Sequence, residues 1–193
     1  MNTTNELPST SISIPDGLKL LTLGGGCFWC TEAVFQRLKG VEKVVSGYAG
    51  GLIPNPSYRQ ICSGTTGHAE VIQIYYHPDL ISLEKLLEIF WATHDPTTLN
   101  RQGADAGPQY RSAIFYHNEE IQKAAENLKS SLNQAEVFEN PIVTEITPFT
   151  NFYPAEDYHQ DYFNLNGHQP YCQFVVKPKV DKLQKFFADY LSE

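Results

Sequence analysis

The chain has 193 residues, 41% of them hydrophobic and 19% charged, an ordinary globular balance at a length that suits one domain with a sizeable core. Its 14 basic and 22 acidic residues leave a net charge of −8 with no offsetting basic run, which argues against a nucleic-acid partner. Met1–Glu6 lacks the charged start and apolar core of a signal peptide, and no apolar stretch is long enough to span a bilayer. A reducing, cytoplasmic setting is therefore expected, where four cysteines suggest redox or metal chemistry more than a disulfide framework.

Residues 1–16 are mostly polar, with Pro8 and Pro15, and predict a loose tail ahead of one domain over residues 17–193. Leu18–Leu23 predicts the first strand and Cys27–Lys39 the first helix, with Val34 and Leu38 on one face and Gly40 as its stop. Val41–Gly47 predicts a second strand. It is followed by a loop, Leu52–Tyr58, whose two prolines oppose regular structure, and by a second loop, Cys62–His68. Ala69–Tyr76 alternates as a strong strand, placing Glu70 on the same face as Ile72, Ile74 and Tyr76. Ser82 caps a helix from Leu83 to about Thr93, and Thr97–Gln109 is a glycine-containing loop of the length that usually carries function. Arg111–Tyr116 is a strand, Asn118 caps a helix striped by Ile121, Ala125, Leu128 and Leu132, and Pro141–Pro148 is a strand. Aromatic and polar residues crowd Asn151–Gly167. Cys172–Val176 then predicts a last strand and Val180–Tyr190 an amphipathic helix. Strands and helices alternate with some direct strand-to-strand links, which points to a mixed α/β or α+β layer fold.

The stretch that carries chemistry is Gly24-Gly25-Gly26-Cys27-Phe28-Trp29-Cys30. Glycines between a strand and a helix clear side-chain bulk, and a thiol in the first helical turn meets the positive end of the helix dipole. That setting favours thiolate over thiol and makes Cys27 a reactive cysteine rather than a buried filler. CxxC opening a helix also suits thioredoxin-like disulfide exchange, or half of a zinc site. Cys62 and Cys172 are too far apart to form a second close pair, so zinc is the weaker reading. Phe28 and Trp29 between the cysteines would build an apolar pocket beside the thiol, which a disulfide shuttle does not need.

Beyond this stretch the sequence resembles the A-type peptide methionine sulfoxide reductases. The resemblance rests on Gly26-Cys27-Phe28-Trp29, Gly47-Tyr48-Ala49-Gly50-Gly51, Asn55-Pro56-Ser57-Tyr58 and Cys62-Ser63-Gly64-Thr65-Thr66-Gly67-His68-Ala69-Glu70. It continues through His94-Asp95-Pro96-Thr97, Gln102–Ser112 and Ala155-Glu156-Asp157-Tyr158-His159-Gln160, so that ordered blocks cover about residues 20–172. The resemblance implies reduction of the S epimer of methionine sulfoxide to methionine. It implies an α+β, two-layer fold with a ferredoxin-like core and mixed sheet, and thioredoxin as reductant.

A sulfoxide sulfur is electrophilic and its oxygen must be protonated before it leaves, so the reaction needs a thiolate, an acid and hydrogen-bond donors. By resemblance Cys27 is the nucleophile, Glu70 the proton donor, and Tyr58 and Tyr110 donors to the oxygen. Asp105 matches a further active-site acid, though it could equally hold a loop turn, and Phe28 and Trp29 would hold the S-methyl group. Glu70 on an apolar strand face is expected to have a raised pKa. His68, His94 and His159 read as structural hydrogen-bonders. Attack by Cys27 leaves a sulfenic acid that a second thiol condenses into a disulfide. Cys30 departs from the commonest family pattern and, one turn away, is expected to resolve first, with Cys172 as its rival and Cys62 a spectator. No metal or organic cofactor is called for.

Overall fold

The computed structural model describes residues 12–193. Most of the tail expected over residues 1–16 lies outside the described residues. Strand β1 (Lys19–Gly25) is followed by helix α1 (Phe28–Phe35), strand β2 (Val41–Ala49), short helix α2 (Tyr58–Cys62), strand β3 (Ala69–Tyr76) and helix α3 (Leu83–Ala92). A two-residue ribbon, β4 (Arg101–Gln102) with β5 (Asp105–Ala106), interrupts the long functional loop; strand β6 (Ser112–Tyr116) and helix α4 (Glu119–Gln134) follow. Strands β7 (Glu145–Pro148) and β8 (Phe152–Pro154), helix α5 (Tyr162–Asn166), a π-helical turn (Cys172–Val176) and helix α6 (Lys177–Phe186) complete the main elements.

The main sheet has the order β7-β6-β1-β3-β2-β8. Every neighbouring pair is antiparallel except β6–β7, so the sheet is mixed. Its centre, β6-β1-β3-β2, with α1 and α3 as the two crossover helices, is the split βαβ arrangement of a ferredoxin-like core. The α+β class expected from the alternation is what forms.

The register of β3 follows its alternation. Ile72, Ile74 and Tyr76 bury into the main core with α1 and α3, while Val71 faces a smaller cluster with Ala49, Ala69, Ala113 and Phe115 on the other side of the sheet. Leu23 of β1 lies opposite Ile72, so Glu70, two residues earlier on β3, emerges on the core face near the end of β1. Helix α1 has buried residues all around its circumference, including Phe28, Cys30, Glu32 and Phe35. It packs on β1, β2 and β3 along one side and on α5, the π turn and α6 along the other. A helix clad in this way carries its first residues into the interior of the protein.

The C-terminal segment corrects the sequence reading. Cys172–Val176 is not a strand but a π-helical turn running directly into α6. Val175 and Val176 gave a β-like local signal, yet burial falls on Cys172, Val176, Val180 and Leu183, a helical spacing, while Phe174 is 81% exposed. Pro178 sits in the first turn of α6 and has no N–H to give a carbonyl four residues back, which the wider π turn accommodates. The helix expected over Val180–Tyr190 accordingly begins at Lys177 and ends at Phe186. The Leu52–Tyr58 loop also ends sooner than its prolines suggested. Ser57 and Gln60 form a reciprocal capping box that starts α2 at Tyr58.

Candidate active site

The β1–α1 turn places Cys27 as the N-cap of α1, one residue before the helix rather than inside it. Gly26 makes this turn with φ +92°, and a side chain there would collide with Gln102, whose amide ties both backbone groups of Asp95 at 3.0 and 2.8 Å. The glycine thus lets the Asp95–Gln102 loop close directly over the thiol turn. Cys27 is 8% exposed and Cys30 1%, and the Cys30 amide donates to the Cys27 carbonyl at 3.0 Å. All four cysteines are free thiols.

Burial pushes the Cys27 thiol well up; the hydrogen bond shared with the Cys30 thiol and the Glu70 charge add to the rise. The expectation that a helix start alone holds Cys27 as thiolate is therefore corrected, because desolvation of a buried sulfur outweighs the dipole of an eight-residue helix. Cys30 moves the other way. The bond with Cys27 lowers it most, against the rise from its own burial, and Lys179 and Tyr171 lower it further. The pair shares its protons, and the anion forms more readily on Cys30.

Glu70 is 1% exposed, and its Oε2 accepts from the Phe28 amide at 3.0 Å. Burial raises its pKa to about 8 against the lowering effect of that bond, with the Asp105 charge adding to the rise. At neutral pH it is a protonated acid bonded one residue from the Cys27 backbone. Tyr58 and Tyr110 are partly buried, and both phenols are raised, first by burial. Glu70 is a further cause in each case, after the Cys62 thiol for Tyr58, which places the two hydroxyls in the field of the acid. Cys62 is exposed and lies four residues, about one turn, from Tyr58 on α2.

Asp105 does more than hold a turn: its Oδ2 accepts from the Tyr171 hydroxyl at 2.6 Å. That bond lays Tyr171 across the opening beside Cys27, edge-on to Trp29 at 5.6 Å. A cavity of about 390 Å³ lies between these groups, lined by Cys27, Cys30, Gly103, Asp105, Tyr171 and Lys179. Trp29 stacks on Tyr162 with ring centroids 3.7 Å apart, and its Nε1–H donates to His159 Nδ1 at 3.0 Å. His159 is completely buried and also contacts Phe28 at 5.1 Å and Tyr58 at 4.4 Å. It is the hub on which both aromatic residues of the motif and one tyrosine are set. Because Nδ1 accepts, Nε2 carries the proton; among the described residues Nε2 has no hydrogen-bond partner, with Glu156 Oε2 3.7 Å away.

His68 and His94 are structural, as read. His68 Nδ1 accepts from the Gly51 amide, while the ring nitrogens of His94 bridge the Phe90 carbonyl and Ser112. Cys172 is completely buried in the π turn next to α1. The residues that sequence reasoning passed over are Tyr171, Lys179 and the hub role of His159. Tyr171 stands directly before a cysteine already singled out. No local pattern shows that Lys179 reaches the same cavity from α6. Among the described residues no cluster of His, Cys, Asp and Glu is suited to a metal ion, and no helix is long and apolar enough to cross a membrane.

A buried acid, a CxxC pair at a glycine turn and phenols converging on them, all on a ferredoxin-like α+β core, define a thiol-based oxidoreductase. The sequence profile of the family described as peptide methionine sulfoxide reductase matches residues 19–190, and the chain belongs to that family. Its relatives include MsrA of Trichodesmium erythraeum, 54% identical over 91% of this chain and 99% of that protein. MsrA of Leptospira borgpetersenii is 58% identical over 85% of this chain and 92% of that protein. Among solved structures, reduced Mxr1 of Saccharomyces cerevisiae superposes with a TM-score of 0.76 at 38% identity, covering 86% of this chain and 96% of that one. Mxr1 in complex with Trx2 gives 0.54 at 29% identity, covering 79% and 91%. The thioredoxin-like reading of CxxC gains no support from these matches.

Proposed function

We propose that this protein reduces the S epimer of methionine sulfoxide, free or within proteins, to methionine, with Cys27 as nucleophile and Glu70 as proton donor. The observation that carries the reading is Glu70: a carboxyl 1% exposed, bonded to the Phe28 amide and raised to about 8 beside a cysteine. A group that is protonated at neutral pH and buried next to a thiol is matched to giving a proton to a departing oxygen.

The steps balance without an outside reagent until the last. The Cys27 thiol proton passes to the acid site as Glu70 protonates the sulfoxide oxygen, and the sulfur of Cys27 attacks. The substrate S–O bond breaks and an S–O bond to Cys27 forms, so the substrate sulfur gains two electrons and Cys27 becomes a sulfenic acid. Tyr58 and Tyr110 donate hydrogen bonds to the oxygen, while Phe28 and Trp29, fixed by His159 and Tyr162, wall the S-methyl group. Asp105 acts through Tyr171, which it holds across the opening. Cys30 attacks the sulfenic sulfur, forming a disulfide and releasing water; Cys172, buried in its helical turn, is the rival. Thioredoxin returns the disulfide to thiols, as the assembly of Mxr1 with Trx2 suggests by analogy, and a reducing cytoplasm is the setting the scheme requires. Thiols carry all of its electrons, so no metal or organic cofactor enters.

Cys27→Ser is expected to abolish methionine formation from the S sulfoxide; full retention of activity would refute the reading. Peptide mapping after one turnover without reductant is expected to show a Cys27–Cys30 bridge. A predominant Cys27–Cys172 bridge that persists in Cys30→Ser would make Cys172 the resolving thiol.

A further inference from the structure

Lys179 enters the cavity from α6, the element furthest in sequence from the thiols it faces. Lys177 pairs with Asp181 at 2.7 Å, Lys123 with Glu119 at 2.8 Å and Lys85 with Glu88 at 2.6 Å. Lys179 has no carboxylate within ion-pair distance among the described residues, although it is partly buried in a chain with eight more acids than bases. It lines the cavity with Cys27, Cys30, Asp105 and Tyr171. An ammonium on a partly buried side chain, lining the thiol cavity and held by no carboxylate, is placed to meet an anion that arises only during reaction.

We infer that Lys179 is a positioning residue of the disulfide-forming step: its charge holds Cys30 as a thiolate while that thiolate attacks the sulfenic sulfur of Cys27. The inference rests on the proposed function and on Cys30 as resolving thiol. The titratable groups around Cys30 are Cys27 and Glu70 on the motif side, Asp105 from β5, Tyr171 directly before the π turn, Cys172 within it, and Lys179 from α6. In the resting enzyme the bond with the Cys27 thiol is the leading influence that lowers Cys30. Once Cys27 carries oxygen that S–H is gone, while Asp105 and burial still oppose the anion. The Tyr171 hydroxyl gives its one proton to Asp105, so Lys179 is then the cation left to favour it. In the step, the Cys30 sulfur forms a bond to the Cys27 sulfur and hydroxide leaves, taking up the proton that Cys30 released to depart as water. Cys30 is oxidised, the sulfenic sulfur is reduced, and the oxidising equivalent is the one the sulfoxide delivered.

The full-length enzyme mixed with one equivalent of free S-methionine sulfoxide, without reductant, tests this when methionine formed and thiols remaining are followed separately across pH. Lys179→Met keeps the aliphatic stem and removes the charge; it should leave the methionine burst intact and slow thiol loss near pH 7. A raised thiol pKa lowers the thiolate fraction but increases its nucleophilicity, so the slowing is about threefold for each unit of pKa. The deficit should vanish, or reverse slightly, above the pKa of the variant thiol. Lys179→Arg should restore the wild-type profile, and Lys179→Gln should repeat the Met result if that side chain packs poorly. Slowing by the same factor at every pH, or an unchanged pH profile in both neutral variants, would overturn the role of Lys179. A Cys27–Cys172 bridge in the wild-type enzyme would instead overturn the assignment of Cys30, and absence of any methionine burst in the wild type would overturn the function itself.

Discussion

At Cys27 two electrostatic effects of opposite sign meet. The helix start offers unpaired amides and a partial positive charge, while 8% exposure removes the water that would solvate a thiolate. Burial wins, so Cys27, the proposed nucleophile, rests as a thiol and would need its proton removed as the substrate arrives. Glu70 is tuned by the same burial in the useful direction, since a desolvated carboxyl keeps its proton. The first step is therefore expected to weaken as pH rises through about 8 and Glu70 ionises, measured as the methionine burst against pH. Glu70→Gln keeps an acceptor for the Phe28 amide but has no proton to give. It should slow the burst by about 10²- to 10⁴-fold, the usual range for a positioned acid, while reduction of the preformed disulfide by thioredoxin stays nearly unchanged. Equal slowing of both steps would remove Glu70 from the role of acid.

Among the elements, α1 and α5 are joined by a buried carboxylate outside the reaction itself. Glu32, 2% exposed, accepts from the Asp161 amide at 2.8 Å, where Asp161 turns the chain with φ +56° into the helix that carries Tyr162. Tyr162 in turn stacks on Trp29, so Glu32 fixes one side of the proposed methyl-binding wall through two intermediaries. Glu32→Ala leaves the Asp161 amide without its acceptor, at a cost of roughly 1–3 kcal/mol in stability, and should raise KM more than it lowers kcat. Glu32→Gln retains an acceptor and should restore KM; failure to do so would show that charge, not the bond, matters there. The start of α1 was legible from the glycine turn, and α3 and α4 from their Ser82 and Asn118 caps, because those signals are local; α1 ends at Phe35, short of the Lys39 that Gly40 suggested. The π turn over Cys172–Val176 was not. A run of Phe-Val-Val has the same local preference in a strand, and only docking against α1 selects the helical face.

Over the whole molecule, buried titratable groups of two kinds set opposite limits on stability. The folded state raises Glu32 to about 7 and Glu70 to about 8, so it holds their protons more tightly than the unfolded chain, and stability is lost as pH rises through those values. His94 and His117 are lowered by burial to about 3 and about 4, so their contribution is present above the usual imidazole pKa and lost as pH falls below it. Between about pH 4.5 and 6.5 the two pairs offset each other, and each group alone contributes a slope of at most about 1.4 kcal/mol per pH unit. Thermal unfolding should give a fall of Tm from about pH 6.5 to 8 that Glu70→Gln flattens; a Tm still climbing at pH 8 would contradict it. The motif around Cys27, the apolar-face placement of Glu70 and the α+β alternation were legible in the residues themselves, because each depends on residues close in the chain. The ferredoxin-like order of elements, and the choice of Tyr58 and Tyr110 as candidate donors, came from the resemblance carried by the ordered blocks. Tertiary structure decided the protonation of the cysteine pair, the placement of Tyr171 over the opening, the hub at His159 and the unpaired Lys179 in the cavity wall. These depend on burial and on charges brought together from distant segments, and desolvation is a property of the assembled interior that no stretch of chain carries by itself.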